Sequence, residues 1–169
     1  MRTKLEISLL LVFLLCLPLP VLAKKAPKPS VDKILVEKAD RRMTLFQGDK
    51  AIKVYKVSLG GEPVGPKQVQ GDHKTPEGNY TIDARNQNSH YHRSLHVSYP
   101  NVRDQRWASQ QGLSPGGSIM IHGLPNGMPD LGPLQRAYDW TDGCIAVGNA
   151  EIEEIWGLVP NGTPIEIRP

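Results

Sequence analysis

Apolar and polar positions alternate in short runs separated by tight turns along most of this chain, which is the pattern of strands. Ile34–Glu37 predicts a first strand, and the charged run Lys38-Ala39-Asp40-Arg41-Arg42 predicts a turn. Met43–Gln47 predicts the next strand, Gly48-Asp49-Lys50 a hairpin turn, and Ala51–Ser58 a third strand. In that third run Ile52, Val54, Tyr55 and Val57 are separated by Lys53 and Lys56, as in a sheet with one wetter face. Gly60-Gly61 ends it, and Pro63–Asp72 reads as a polar loop. Thr75-Pro76-Glu77-Gly78 is a turn feeding a strand at Tyr80–Ala84. Asn86–Ser94 is polar and His-rich, Leu95–Ser98 is a further strand, and Tyr99–Gly117 reads as loop. Ser118–Ile121 is a short buried strand. One stretch has helical spacing: Asn149 is a suitable N-cap, Glu151, Glu153 and Glu154 face the positive end of the dipole, and Ile152, Ile155 and Trp156 form an apolar face. Pro160-Asn161-Gly162 stops that helix, and Pro164–Ile167 is a last strand. The fold class expected is mainly β with one clear helix, in one domain spanning 31–169, with no internal repeat.

The first 23 residues carry a different pattern. Arg2 and Lys4 precede an apolar run at Ile7–Leu15, and Val21-Leu22-Ala23 matches a signal-peptidase site. This predicts a secretory signal peptide over 1–23, cleaved after Ala23, followed by a flexible leader over 24–30. Pro18 and Pro20 break the apolar run well short of the roughly 20 residues that a membrane span needs, so no span is expected after cleavage. Leu15 stands where a lipoprotein signal requires a small residue, which argues against lipidation at Cys16.

Charge adds an exclusion. The chain has 20 basic and 17 acidic residues; without Arg2, Lys4 and Glu6 these become 18 and 16, a net charge of +2. That is nearly neutral and unclustered apart from Lys24, Lys25 and Lys28, which is no nucleic-acid footprint. Of the two cysteines, one is Cys16, so the exported form keeps Cys144 alone. A single thiol forms no internal disulfide, and it is buried filler, an intermolecular link or a nucleophile.

His122 closes the strand Ser118–Ile121 with Gly123 directly after it, and Cys144 follows Gly143 inside a short apolar run. A thiol with an unperturbed pKa near 8.5 needs a base to become a thiolate at neutral pH, and an imidazole supplies one. The two positions are 22 apart, so they meet only if strand and turn fold side by side. Gly143 lets the backbone bend and bring an amide to a substrate carbonyl, which makes the Gly143 and Cys144 N–H groups candidates for an oxyanion hole. Thr141 is placed to hydrogen-bond across the turn and orient it. Asp142 would raise the thiol pKa if it pointed inward, so it is expected to face solvent or a base such as Arg136.

The strings Ile121-His122-Gly123 and Thr141-Asp142-Gly143-Cys144-Ile145-Ala146-Val147, with Thr75-Pro76-Glu77-Gly78-Asn79-Tyr80 upstream, resemble the YkuD-type L,D-transpeptidase family. The likeness runs from about Val31 to Arg168, and Gly65–Asp72 makes it most like the YafK-like branch. The resemblance implies a β-sandwich-like catalytic domain with the nucleophile in a cavity under a loop. It makes Cys144 the nucleophile, His122 the general acid/base, Gly143 the backbone of the oxyanion site and Thr141 the orienting residue. Gly123, Arg136, Tyr138 and His73 are candidate substrate-binding residues. The implied reaction is attack of Cys144 on the diaminopimelate carbonyl of a peptidoglycan stem peptide, release of D-alanine, and transfer of the acyl group to an amine. The alternative is a hydrolase or amidase of the same fold that trims stems or releases a wall-linked lipoprotein. The implied location is the periplasm or cell wall, with no cofactor and no metal. Two positions depart from the family pattern: Asp142 stands where His is common, and Ala146 where Arg or Asn is common, with Arg136 a possible substitute cation.

Four other features stand out. His90 and His92 share one face of a strand but lack a third metal ligand at fixed spacing, which favours a substrate-rim role. His73 and Lys74 precede the Thr75 turn as candidate groove residues. Trp107, Tyr138 and Trp140 flank the glycine-rich loops as anchors. The span Leu124–Asp139 is either a lid or a rigid surface connection.

Overall fold

In the computed structural model, residues 30–128 and 132–169 are described. The signal-like segment 1–23 and all but the last residue of the leader 24–30 lie outside them. The element order is β1 (Lys33–Glu37), β2 (Arg42–Gln47), β3 (Lys50–Lys56), β4 (Gly78–Ser89), β5 (His92–Val97), α1 (Val102–Gln110), β6 (Met120–His122), β7 (Ile145–Ala146), α2 (Asn149–Leu158) and β8 (Pro164–Arg168).

The eight strands form one curled sheet in the order β3-β2-β1-β8-β4-β5-β6-β7. Alternation sets which face turns inward. Ile34 and Val36 of β1 and Ile165 and Ile167 of β8 are buried, while the residues between them are more exposed. The two strands run parallel in the register Ile34↔Ile165 and Val36↔Ile167, so their buried side chains stack in matching layers. β3 is an edge whose lysines, Lys50, Lys53 and Lys56, blunt its open hydrogen-bonding side, which accounts for its imperfect alternation.

β4 joins the two halves of the sheet. Its first residues pair with β8 and its later ones with β5, with register irregularities between Ile82 and Ala84 and between Asn86 and Ser89. Irregularities of this kind bend a strand, and this one carries the sheet over the core. Ser58, just beyond β3, exchanges two hydrogen bonds with Ala146 of β7 (3.0 and 2.8 Å), so the far end of the sheet returns to its beginning. The core is one cluster, including Met43, Leu45, Leu59, Leu95, Ile121, Ile145, Ile152 and Ile155, drawn from both halves and from α2.

Three local expectations are corrected. The stretch Tyr99–Gly117 contains α1, started by the Asn101 side chain, which accepts from Arg103 and Asp104 N–H, and by Asp104, which accepts from Asn101 N–H. Only Ala108 of α1 is buried, so the apolar periodicity that would have revealed it is absent. The strands expected at Tyr80–Ala84 and Leu95–Ser98 extend into the polar stretch Asn86–Ser94, which is paired strand on both sides of a turn. At α2 the cap is Gly148, whose N–H donates to the Glu151 carboxylate at 2.7 Å. Asn149 instead uses its side-chain oxygen to accept from Leu124 N–H at 2.9 Å, tying the helix to the segment after β6. Among the described residues no helix is long and apolar enough to cross a membrane.

The loop from Gly60 to Glu77 is held from inside. The Lys38 ammonium is buried and donates to the Gly65 carbonyl (2.6 Å), the Thr75 carbonyl (3.0 Å) and the Glu77 carboxylate (2.8 Å). Burial lowers its pKa, and Glu77 opposes that shift. Three acceptors converging on one ammonium make Lys38 the post around which this loop is wound. Replacing Lys38 with Met leaves those acceptors unsatisfied and is expected to cost about 3 kcal/mol of folding stability, read from denaturant unfolding. A loss below about 0.5 kcal/mol, the usual range for surface substitutions, would contradict that role.

Candidate active site

His122 ends β6 and Cys144 immediately precedes β7, and these two strands pair in parallel in the register Ile121↔Ile145 and His122↔Ala146. The pairing makes neighbours of two positions far apart in sequence. Both side chains line one cavity of about 470 Å³, together with Asn86, Ser89, Tyr91, Ser118, Trp140 and Thr141.

His122 is buried, with its Nδ1 2.6 Å from the Gly123 carbonyl oxygen. A carbonyl only accepts, so Nδ1 carries the proton and Nε2 keeps its lone pair in the neutral ring. The ring belongs to a cluster of three: Tyr91 packs on it with its centroid at 4.4 Å, Trp140 meets it edge-on at 5.8 Å, and the two aromatics stack on each other at 6.4 Å. Burial lowers the His122 pKa, partly offset by the bond to Gly123. The Cys144 S–H donates to the Ser118 carbonyl at 3.6 Å. Burial raises the thiol pKa, the Met120 backbone opposes this, and Asp142 adds a smaller upward push. At neutral pH both groups are therefore uncharged. The site holds a thiol beside a base, not a preformed thiolate–imidazolium pair.

The turn carrying Cys144 is fixed by Thr141 and Gly143. The Thr141 hydroxyl donates to the Cys144 carbonyl (2.8 Å) and accepts from Gly143 N–H (3.1 Å). That second bond uses the Gly143 amide, so of the two expected oxyanion donors only the Cys144 N–H has no acceptor among the described residues. Gly143 has φ +124°, and a Cβ there would sit 2.5 Å from the Lys74 carbonyl oxygen. Both facts require glycine. Gly60 is equally close to the neighbouring residue: a Cβ there would lie 2.2 Å from the His73 carbonyl oxygen.

The other candidates fall elsewhere. Gly123 is packed against Asn149, Ile152 and His92 and reaches the site only through its carbonyl. Arg136 pairs with Glu151 at 2.6 Å and does not line the cavity. Tyr138 is largely exposed and does not line the cavity. Asp142 does face solvent, as expected, but its partner is His73 Nδ1 at 2.8 Å. His92 bonds Glu153 at 2.8 Å while His90 lines the cavity. Trp107 lies on α1, away from this site.

Within the span Leu124–Asp139, residues 129–131 lie outside the described residues. Its ends are pinned: Asn126 bonds Ser89 and His92, and Asp139 accepts from Leu59 N–H and from the Arg41 guanidinium. Sequence reasoning missed Tyr91 and Ser118. Tyr91 stands in the polar, His-rich stretch, which has no apolar pattern to mark it, and Ser118 acts through a backbone carbonyl, which no side-chain pattern reveals.

The family model for the L,D-transpeptidase catalytic domain, YkuD, matches residues 32–167. YafK of Escherichia coli (strain K12), an L,D-transpeptidase by name, is 33% identical over 108 residues, covering 62% of this chain and 36% of its own. The structure of Pgp2 from Campylobacter jejuni, described as a helical cell shape determining protein, is similar with TM-score 0.61 and 27% identity, over 83% of this chain and 48% of that one. The structure of Bd1075 from Bdellovibrio bacteriovorus is similar with TM-score 0.57 and 30% identity, over 82% of this chain and 48% of that one. The chain thus spans about a third of the length of the curated relative and about half of each solved chain.

The lowered His122 pKa makes a signed prediction. The unfolded chain takes up a proton at His122 near pH 6.5, where the folded chain does not, so stability falls as pH drops below about 6.5. The melting temperature is expected to fall less between pH 7.5 and pH 5 in His122→Gln than in the unsubstituted chain. Equal declines would contradict the buried, neutral imidazole.

Proposed function

The chain belongs to the YkuD family of L,D-transpeptidase catalytic domains, and on that premise we propose that it is an exported cysteine acyltransferase acting on peptidoglycan stem peptides. The catalytic domain is residues 31–169, the segment 1–23 is a cleaved signal peptide, and the site of action is the periplasm or cell wall. One observation carries this reading: a neutral imidazole, its tautomer set by the Gly123 carbonyl, lines the same cavity as a free thiol.

In the acylation step His122 Nε2 takes the thiol proton as the sulfur attacks the diaminopimelate carbonyl of the donor stem. Delaying ionisation until substrate arrives suits a half-buried thiol, whose charged form is costly without a partner. The Cys144 N–H supports the developing oxyanion. His122 then gives its proton to the departing D-alanine nitrogen, leaving a thioester on Cys144. An amine from a second stem or from a lipoprotein lysine takes the acyl group in the second step. Water in that place makes the same residues a hydrolase.

Incubation of the full chain with purified sacculi, followed by mass spectrometry of the muropeptides, tests this reading. Cross-linked products are expected for transfer, and shortened or lipoprotein-free monomers for hydrolysis. Cys144→Ala and His122→Ala are each expected to lower turnover by about 10³-fold or more. Undiminished turnover in either variant would overturn the reading.

A further inference from the structure

A second imidazole, His73, stands beside the Cys144 turn, and the acylation step leaves it unused. The Cys144 cavity shares Gly117, Ser118 and Asp142 with a neighbouring cavity of about 590 Å³, lined also by Lys67, Gln70 and His73. Cys144 and His122 line the first cavity and His73 the second, with Asp142 on the boundary. His73 Nδ1 lies 2.8 Å from Asp142 Oδ1. A carboxylate only accepts, so Nδ1 carries a proton, and in the neutral ring Nε2 bears a lone pair.

Stability does not explain this pair. Its side chains are 55% and 91% exposed, and a polar contact so open to solvent contributes little to folding. Yet His73 is held at φ +52°, a region that side chains with a Cβ seldom enter and that persists where the surroundings impose it. The surroundings here are peptide groups: the His73 carbonyl packs on Gly60, and the Lys74 carbonyl on Gly143. His73 is thus fixed to the backbone beside Cys144.

We propose that His73, oriented by Asp142, is the base for the second half-reaction, in which a primary amine entering through the His73 cavity takes the acyl group. The proposal rests on the acyltransferase reading above. As the amine nitrogen bonds to the thioester carbonyl, His73 Nε2 removes one of its protons. The tetrahedral adduct collapses, the C–S bond breaks and Cys144 leaves as a thiolate. The thiolate takes up a proton and His73 releases one, both through solvent in the cleft, so the only products are the new amide and the free thiol. His73 is then a catalytic residue and Asp142 a positioning residue. The arrangement separates the two proton transfers, with His122 serving the leaving amine and His73 the incoming one. It also gives Asp142, a departure from the family pattern, a function.

The test follows the Cys144 acyl adduct by quenched-flow intact mass spectrometry of the full chain, with a tetrapeptide-stem donor and an amine acceptor. His73→Asn suits the test because asparagine tolerates the left-handed region and is no base. The adduct is expected to form at the unsubstituted rate and to be consumed by the amine about 10²-fold more slowly. Asp142→Asn is expected to slow consumption by a smaller factor and Asp142→Glu to restore it. Consumption at the unsubstituted rate in His73→Asn, or equal slowing of formation and consumption, would overturn the proposal. Absence of any adduct in the unsubstituted chain would overturn the acyltransferase reading, and this inference with it.

Discussion

Two peptide-to-peptide contacts govern the site: Gly143 against the Lys74 carbonyl and Gly60 against the His73 carbonyl. Neither position has room for a Cβ. Three segments distant in sequence therefore meet backbone to backbone, and Thr75 and Thr141 bind the junction. The Thr75 hydroxyl accepts from Gly60 N–H at 3.0 Å, and Thr141 clamps the Cys144 turn. Lys38 supports the same junction from beneath through the Thr75 carbonyl. A buried ammonium, two threonines and two glycines thus set where the thiol stands, and none of them needs to touch a substrate.

Burial acts in opposite directions on the two reactive groups. It lowers the imidazole pKa and raises that of the thiol, and in both cases it favours the neutral form. A site arranged this way does not hold a standing thiolate exposed to oxidation. In the proposed reaction, reactivity then depends on placement of the base, whose ring packs on Tyr91 and meets Trp140 edge-on. Charged groups line the neighbouring cavity instead, in Asp142 and Lys67.

Much of this was legible in the chain. The strand runs near Ile34, Met43, Tyr80, Leu95 and Ile165 reveal themselves because alternation records burial, and the glycine beside each of His122 and Cys144 marks a constrained backbone. What escaped was set by tertiary context. Helix α1 buries Ala108 alone, so its evidence is a capping box rather than an apolar stripe. Asn86–Ser89 is polar yet paired, because hydrogen bonding to β5 does not require an apolar side chain. Arg136 sits close to the motif in sequence but is claimed by Glu151, and Asp142 finds His73, a residue 69 positions away. Sequence proximity misleads for charges, whose partners are chosen by the fold.

The central claim is that His122 and Cys144 work as one unit within a shared cavity. Reaction with a carbapenem, an acylating β-lactam, followed by digestion and tandem mass spectrometry, tests it most directly. The account predicts that the added mass maps to Cys144 and that labelling is much slower in His122→Ala. An unmodified Cys144, or labelling indifferent to the loss of the imidazole, would contradict it.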